Sequence, residues 1–144
     1  MSDLDDYFNK QMLNEEFHNE YSKLNCSIYV ISDTHFGHKN IIEYCNRPFK
    51  SVEEMDLHMI TQWNKTVTDN DIIIHLGDFA FGTSEEIRNY ASQLNGKKIL
   101  VQGNHDRKGV GFFEGCGFTV WKKGSLLPII KNGITYPLFH NWHP

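Results

Sequence analysis

Long apolar runs are missing from this chain. No stretch approaches the length of a membrane span, and residues 1–25 carry many acids with no apolar core of the kind a leader peptide needs. Both absences predict a cytoplasmic protein with no membrane attachment. Cysteine is scarce: Cys26, Cys45 and Cys116 are odd in number and lack CxxC spacing, which excludes a disulfide framework or a zinc knuckle and predicts reduced, mostly buried thiols. Basic excess is also missing, because the net charge is -4, so nothing marks a strong nucleic-acid-binding surface. Gly-x-Ser-x-Gly and Walker-type glycine loops do not occur, which removes the usual signatures of a serine hydrolase or a nucleotide triphosphatase. What remains is an ordinary globular composition, 40% hydrophobic and 22% charged, in 144 residues that suit one domain and one site.

The periodicity divides the chain into an extension at 1–25 and a domain at 26–144. In the extension, Leu13, Phe17, Tyr21 and Leu24 recur at helical spacing. Ser27 to Ser32 is short, apolar and β-rich, and predicts a buried central strand that ends at Asp33-Thr34-His35. A short helix is expected from Lys39 to Cys45, closed by Arg47-Pro48. Ser51 to Glu54 has capping-box form ahead of Val52, Met55, Met59, Trp63 and Val67, which predict an amphipathic helix. Asp71 to Leu76 predicts a second buried strand, ending at Gly77-Asp78. Thr83 to Glu86 is a second capping box before Ile87, Tyr90, Ala91 and Leu94, with Gly96 as the stop. Lys98 to Val101 predicts a third strand, running into Gly103-Asn104-His105-Asp106. Repeated strand, polar loop and helix units predict an α/β layered domain with several parallel strands, whose ligands gather at the strands' carboxyl ends. Beyond Gly111 no helix is expected, only a more antiparallel set of strands at 118–121, 126–130 and 134–138 that delivers His140.

Three successive strand ends therefore present Asp-x-His, Gly-Asp and Gly-Asn-His-Asp. Asp33 and His35, two apart in an extended segment, would project to one face and grip one ion. Asp78 has two carboxylate oxygens and could join that ion to a second. Asn104 and His140 add an amide oxygen and an imidazole. Oxygen and nitrogen donors without thiolate suit two divalent ions, Mn first, with Fe, Zn or Ni as alternatives. Two such ions about 3.5–4 Å apart polarise a phosphoryl group and supply a metal-bound hydroxide, so hydrolysis of a phosphoester needs no covalent nucleophile.

The segments ISDTHFGHKN, HLGDF and VQGNHD resemble, in order, the first three motifs of the calcineurin-like metallophosphoesterase superfamily, and the likeness runs from Ile31 to about His140. THFGHKNIIEYCNRPF is closer to its small bacterial and phage members than to protein phosphatases. The resemblance implies a layered ββα-sandwich with mixed sheets and flanking helices. It implies Asp33 and His35 on one metal, Asp78 bridging, and Asn104 with His140 on the other. His105 would then act on the leaving oxygen or the transition state, with Asp106 orienting it. The substrate implied is a phosphorylated small molecule or nucleotide. Members of the superfamily also carry a later Gly-His-x-His motif, absent before Pro144. That departure fits a C-terminally truncated domain or a member that completes its site differently; with three protein donors left for each ion, the chain is expected to bind metal weakly, gain stability from added Mn²⁺ and turn over slowly.

Other residues have plainer readings. His75 reads as a satisfied core histidine, and His18 and His58 as surface residues. His38 lies on a loop that should overhang the site, where it can touch substrate or metal. Arg47 and Arg107 are candidate phosphate contacts through the guanidinium fork, with a solvated arginine as the default for each. Comparison with HD-type phosphohydrolases fails, because His105-Asp106 follows a strand and a glycine where that class uses helices. A degenerate, non-catalytic domain binding phosphate, nucleotide or a protein partner is the rival reading.

Overall fold

The computed structural model describes residues 27–103, 106–121, 127–131 and 134–138. The extension at 1–25 and the residues Asn104, His105 and His140 lie outside them. The element order is β1 (Ile28–Ile31), α1 (Ile41–Tyr44), α2 (Val52–Thr66), β2 (Ile72–His75), α3 (Ser84–Ser92), β3 (Lys97–Val101), α4 (Val110–Gly115), β4 (Phe118–Trp121), β5 (Leu127–Lys131) and β6 (Ile134–Leu138). Strands β1 to β4 form one parallel sheet in sequence order, and β5 and β6 form an antiparallel pair. The α/β class and the flanking helices stand as expected.

Local chemistry explains the elements. Thr83 and Glu86 exchange side-chain and backbone hydrogen bonds at the start of α3, the full capping box. At α2 only half of that device forms. Ser51 accepts from the Glu54 N–H at 3.1 Å, while the Glu54 carboxylate accepts from Lys50 N–H at 2.9 Å. Entry to the sheet is held by Asp71, whose carboxylate accepts from Ser27 N–H at 2.9 Å and Thr68 N–H at 2.8 Å. Those two bonds, the Ser27 one foremost, hold its carboxyl below the usual range. The helix α3 ends at Ser92, so Gly96 is not its stop; its φ of +99° instead serves the turn into β3, where a Cβ would lie 2.7 Å from Val67 Cγ1.

Four further expectations about the fold need correction. Strand β1 is an edge among the described strands, and Val30 is 50% exposed. Its inner side chains border an open apolar cleft of about 400 Å³ against α2, shared with Met59, Trp63 and Val67. A short helix, α4, occupies 110–115 and buries Phe113 although no apolar period announces it. Strand β4 joins the parallel sheet beside β3 and does not belong to a second antiparallel set. The thiols are not mostly buried: Cys45 is exposed and Cys116 half-buried. Cys45 caps a four-residue helix that turns only Ile41 inward.

The core gathers Trp63, Val67, Ile73, Ile87, Leu100, Phe113 and Phe118 around Phe36 and Phe79, both 0% exposed. Phe79 meets Phe36 and Phe118 edge-on, with centroids 5.4 and 4.9 Å away. These two phenylalanines belong to the loops that leave β1 and β2. Burying them fixes those loops to the sheet's carboxyl edge.

Candidate metal centre

Past the ends of β1 and β2 the two loops stay hydrogen-bonded side by side. Asp33 N–H donates to Gly77 C=O (3.0 Å), His35 N–H to Asp78 C=O (3.1 Å), Phe36 N–H to Phe79 C=O (3.0 Å) and Phe81 N–H to Phe36 C=O (2.7 Å). Within this ladder Asp33, His35 and Asp78 have φ of 54°, 51° and 56°, the left-handed region that residues with a Cβ avoid. The expectation of an extended Asp33-to-His35 segment is therefore wrong in its mechanism. Left-handed turns, not strand alternation, swing the two side chains together. Asn46 alone joins these three among the described non-glycine residues with positive φ, so the strain is concentrated at one place.

The result is a cluster in which one donor atom from each of Asp33, His35 and Asp78 lies within 4.8 Å of the others. His35 and Asp78 are buried, and Asp33 is exposed at the mouth. His35 Nε2 lies 3.7 Å from Asp78 Oδ2. Burial pushes the His35 imidazole down to about 4, against the pull of Asp78 and Asp33 and helped by His38 and Arg47. The ring is thus neutral at physiological pH, as a metal ligand must be. Two carboxylates and a neutral imidazole brought together fit a divalent cation of the oxygen- and nitrogen-loving kind.

Several further residues build this site from behind. Thr34, between Asp33 and His35, donates its hydroxyl to Phe79 C=O at 2.7 Å. Its one proton is thereby used, so it accepts from His75 Nε2, 2.9 Å away, while His75 Nδ1 accepts from Gly77 N–H at 3.1 Å. His75, 0% exposed, is the satisfied core histidine expected, and its ring joins both ligand loops. Arg47, a candidate phosphate contact, donates to Asp33 C=O at 2.6 Å and Thr34 C=O at 2.8 Å. Asp106, expected beside His105, accepts from the N–H groups of Asp78, Phe79 and Gly103 at 2.7–2.9 Å and so ties the β3 end to the Asp78 loop. Burial raises its carboxyl despite those three bonds.

Asp56 was missed altogether. It accepts from Gly37 N–H at 2.9 Å and pairs with the Tyr90 hydroxyl. The signal was present, since Asp56 shares a helical stripe with Ile60 and Trp63, where a polar residue needs a buried partner. Gly37, at φ +74°, is the residue this clasp demands, because a Cβ would sit 2.6 Å from Phe81 O and 2.7 Å from the Tyr90 hydroxyl. His38 lies beside the cluster, its Nδ1 3.1 Å from His35 Nδ1. Arg107 is exposed and lines a small cavity of about 150 Å³ with Phe81, Lys108 and Phe113.

Comparison with known proteins bears on this geometry. A family model described as calcineurin-like phosphoesterase matches residues 26–143. An uncharacterized protein of Methanocaldococcus jannaschii is 48% identical over 87 residues, which cover 59% of this chain and 49% of that protein. The gene 66 protein of Mycobacterium phage L5 is 35% identical over 81 residues, 54% of this chain and 39% of the phage protein. The crystal structure of a protein of unknown function from Aquifex aeolicus aligns with a TM-score of 0.64 and 30% identity, covering 80% of this chain and 61% of that one. The matched region thus spans about half, or less, of these curated relatives.

Proposed function

The chain belongs to the calcineurin-like phosphoesterase family, and from that premise we propose that it hydrolyses phosphoester bonds with a dinuclear metal centre. The observation that carries the reading is the convergence of Asp33, His35 and Asp78, each in a strained backbone conformation, on one point. Strain of this kind is retained where function needs it.

Asp33, His35 and Asp78 would hold one ion, and Asp78, Asn104 and His140 the other. Manganese suits that donor set best, with iron, zinc or nickel as alternatives. The ions, when bound, polarise a phosphoryl oxygen and lower the pKa of a water. The chain's own residues do the rest. Asp78 would join the two half-sites, His105 would protonate the leaving oxygen or steady the transition state, and Asp106 holds the Asp78 loop by three backbone bonds. Exposed Arg107 is available to a phosphate, and the substrate is a phosphorylated small molecule or nucleotide. Among the described residues no helix is long and apolar enough to cross a membrane. The reading takes the cytoplasm as its setting, where the free thiols Cys45 and Cys116 stay reduced. The reading takes residues 1–25 as an extension to the catalytic domain.

The test is hydrolysis of an aryl phosphodiester and an aryl phosphomonoester by the full chain, before and after chelator treatment and Mn²⁺ replacement. Turnover that is lost with the metal and returns with it is expected. Tight binding of phosphate or a nucleotide with no turnover under any metal would instead favour the degenerate binding domain.

A further inference from the structure

Two imidazoles three residues apart form one hydrogen-bonded pair at the edge of the ligand cluster. His35 turns Nε2 toward Asp78, 3.7 Å from Oδ2, and its other nitrogen, Nδ1, lies 3.1 Å from Nδ1 of His38. A hydrogen bond between ring nitrogens needs one that carries a proton and one that does not. When Nε2 of a neutral His35 offers its lone pair to a cation, the proton of that ring must sit on Nδ1. His35 is then the donor, and His38 Nδ1 the acceptor.

We propose that His38 is a positioning residue for metal binding, the acceptor that fixes the tautomer and the ring orientation of His35. A carboxylate or a backbone carbonyl usually plays this part behind a metal-bound histidine. Here an imidazole plays it, and its own ring is held on two sides. His38 stacks on Phe81 with centroids 4.5 Å apart and planes 15° apart, and meets Tyr44 edge-on at 6.3 Å. Its backbone N–H donates to His35 C=O at 3.1 Å. Phe81 belongs to the loop that carries Asp78, so a single ring grips one ligand by a hydrogen bond and leans on the segment bearing another. The His38 nitrogen that accepts from His35 cannot at once bind a cation. His38 therefore acts through His35, a more specific task than the contact with substrate or metal expected from its loop position. The inference rests on the metal reading of the cluster.

Two substitutions separate the hydrogen bond from the stack. In His38→Asn the amide oxygen stands close to where Nδ1 stood, so the acceptor stays and the ring is lost. In His38→Phe the ring stays on Phe81 and the acceptor is lost. Calorimetric titration of the full chain with Mn²⁺ is expected to show affinity about 10–100-fold weaker in His38→Phe, with His38→Asn within about threefold of wild type. Equal weakening in both variants would assign His38 to packing, and wild-type affinity in His38→Phe would leave it no role; either overturns the proposal. Should a variant fail to fold, imidazole ¹⁵N spectra of the Zn²⁺-loaded wild-type chain decide. His35 is expected with its proton on Nδ1, and a proton on Nε2 overturns the inference. A wild-type chain that binds neither ion removes the metal reading itself, whereas metal binding indifferent to His38→Phe removes only the role of His38.

Discussion

Asp78 concentrates the functional demand on a single residue. It holds φ at 56°, a conformation that costs an L-residue about 1–2 kcal/mol and that asparagine and aspartate tolerate best after glycine. Its carboxylate stands beside Asp33 and His35, where a cation would relieve the crowding of negative charge. Asp78→Asn keeps the shape and the backbone preference but halves that charge. Its fold and metal-free melting should be close to wild type. Its Mn²⁺ affinity should fall by more than the roughly 10–100-fold typical of losing an outer-shell partner, and hydrolysis should go with it. Calorimetry beside a melting curve checks both halves, and a folded Asp78→Asn chain that binds Mn²⁺ as wild type does would remove Asp78 from the site.

At this scale the sequence was legible where chemistry and spacing coincide. Asp33, His35 and Asp78 could be grouped as candidate ligands because carboxylates and an imidazole at successive strand ends suit a cation together, and the structure brings the three within reach of one another. The structural work of Thr34, Arg47 and Asp56 could not be read, because it depends on partners 41, 13 and 19 residues away. The left-handed backbone at Asp33, His35 and Asp78 was also hidden, since none of the three is a glycine.

At the scale of elements, the site is a joint between loops, and Asp106 is its fastener. It is 3% exposed and accepts three backbone N–H groups from two different strand ends. Asp106→Ala would leave those donors buried without partners, each at a cost of about 1–3 kcal/mol. A loss of about 3 kcal/mol or more is expected in urea unfolding of the metal-free protein; a loss under about 1 kcal/mol would show that water or other groups replace the carboxylate.

The second clasp joins α2 and α3 to the loop that holds both histidines. Burial, and then the charge and hydrogen bond of Asp56, push the Tyr90 hydroxyl up to about 12 from an ordinary 10.0. Its folded value lies above its unfolded one, so its stabilising share is complete below about pH 10 and is lost as pH rises toward 12. The stability advantage of wild type over Tyr90→Phe should therefore shrink across that window. Urea midpoints at pH 8, 10 and 11.5 would reveal it, and an advantage independent of pH would contradict the assignment. Elements with strong periods and caps, α2 and α3, were readable from sequence. The short α4, with glycines at three of its boundary and inner positions, 109, 111 and 115, carries no period to read.

For the whole molecule, the parallel order β1-β2-β3-β4 brings the loops of β1, β2 and β3 to one edge, and the site follows from that order. The sequence implied the class of fold through repeated strand and helix units. It did not reveal that β4 would continue the parallel sheet or that β1 would lie at its margin, because a four-residue apolar run looks the same in either place. Strand order is set by packing across the chain, and Phe79, on the loop that leaves β2, meets Phe118 of β4. The central claim is that these strand ends converge to hold metal. Crystals of the chain grown with Mn²⁺, with data collected at the manganese absorption edge, test it most directly. The account requires an anomalous peak within coordination distance of Asp33, His35 and Asp78, absent from crystals of Asp78→Asn; a Mn²⁺-saturated crystal with no peak among those three side chains would contradict it.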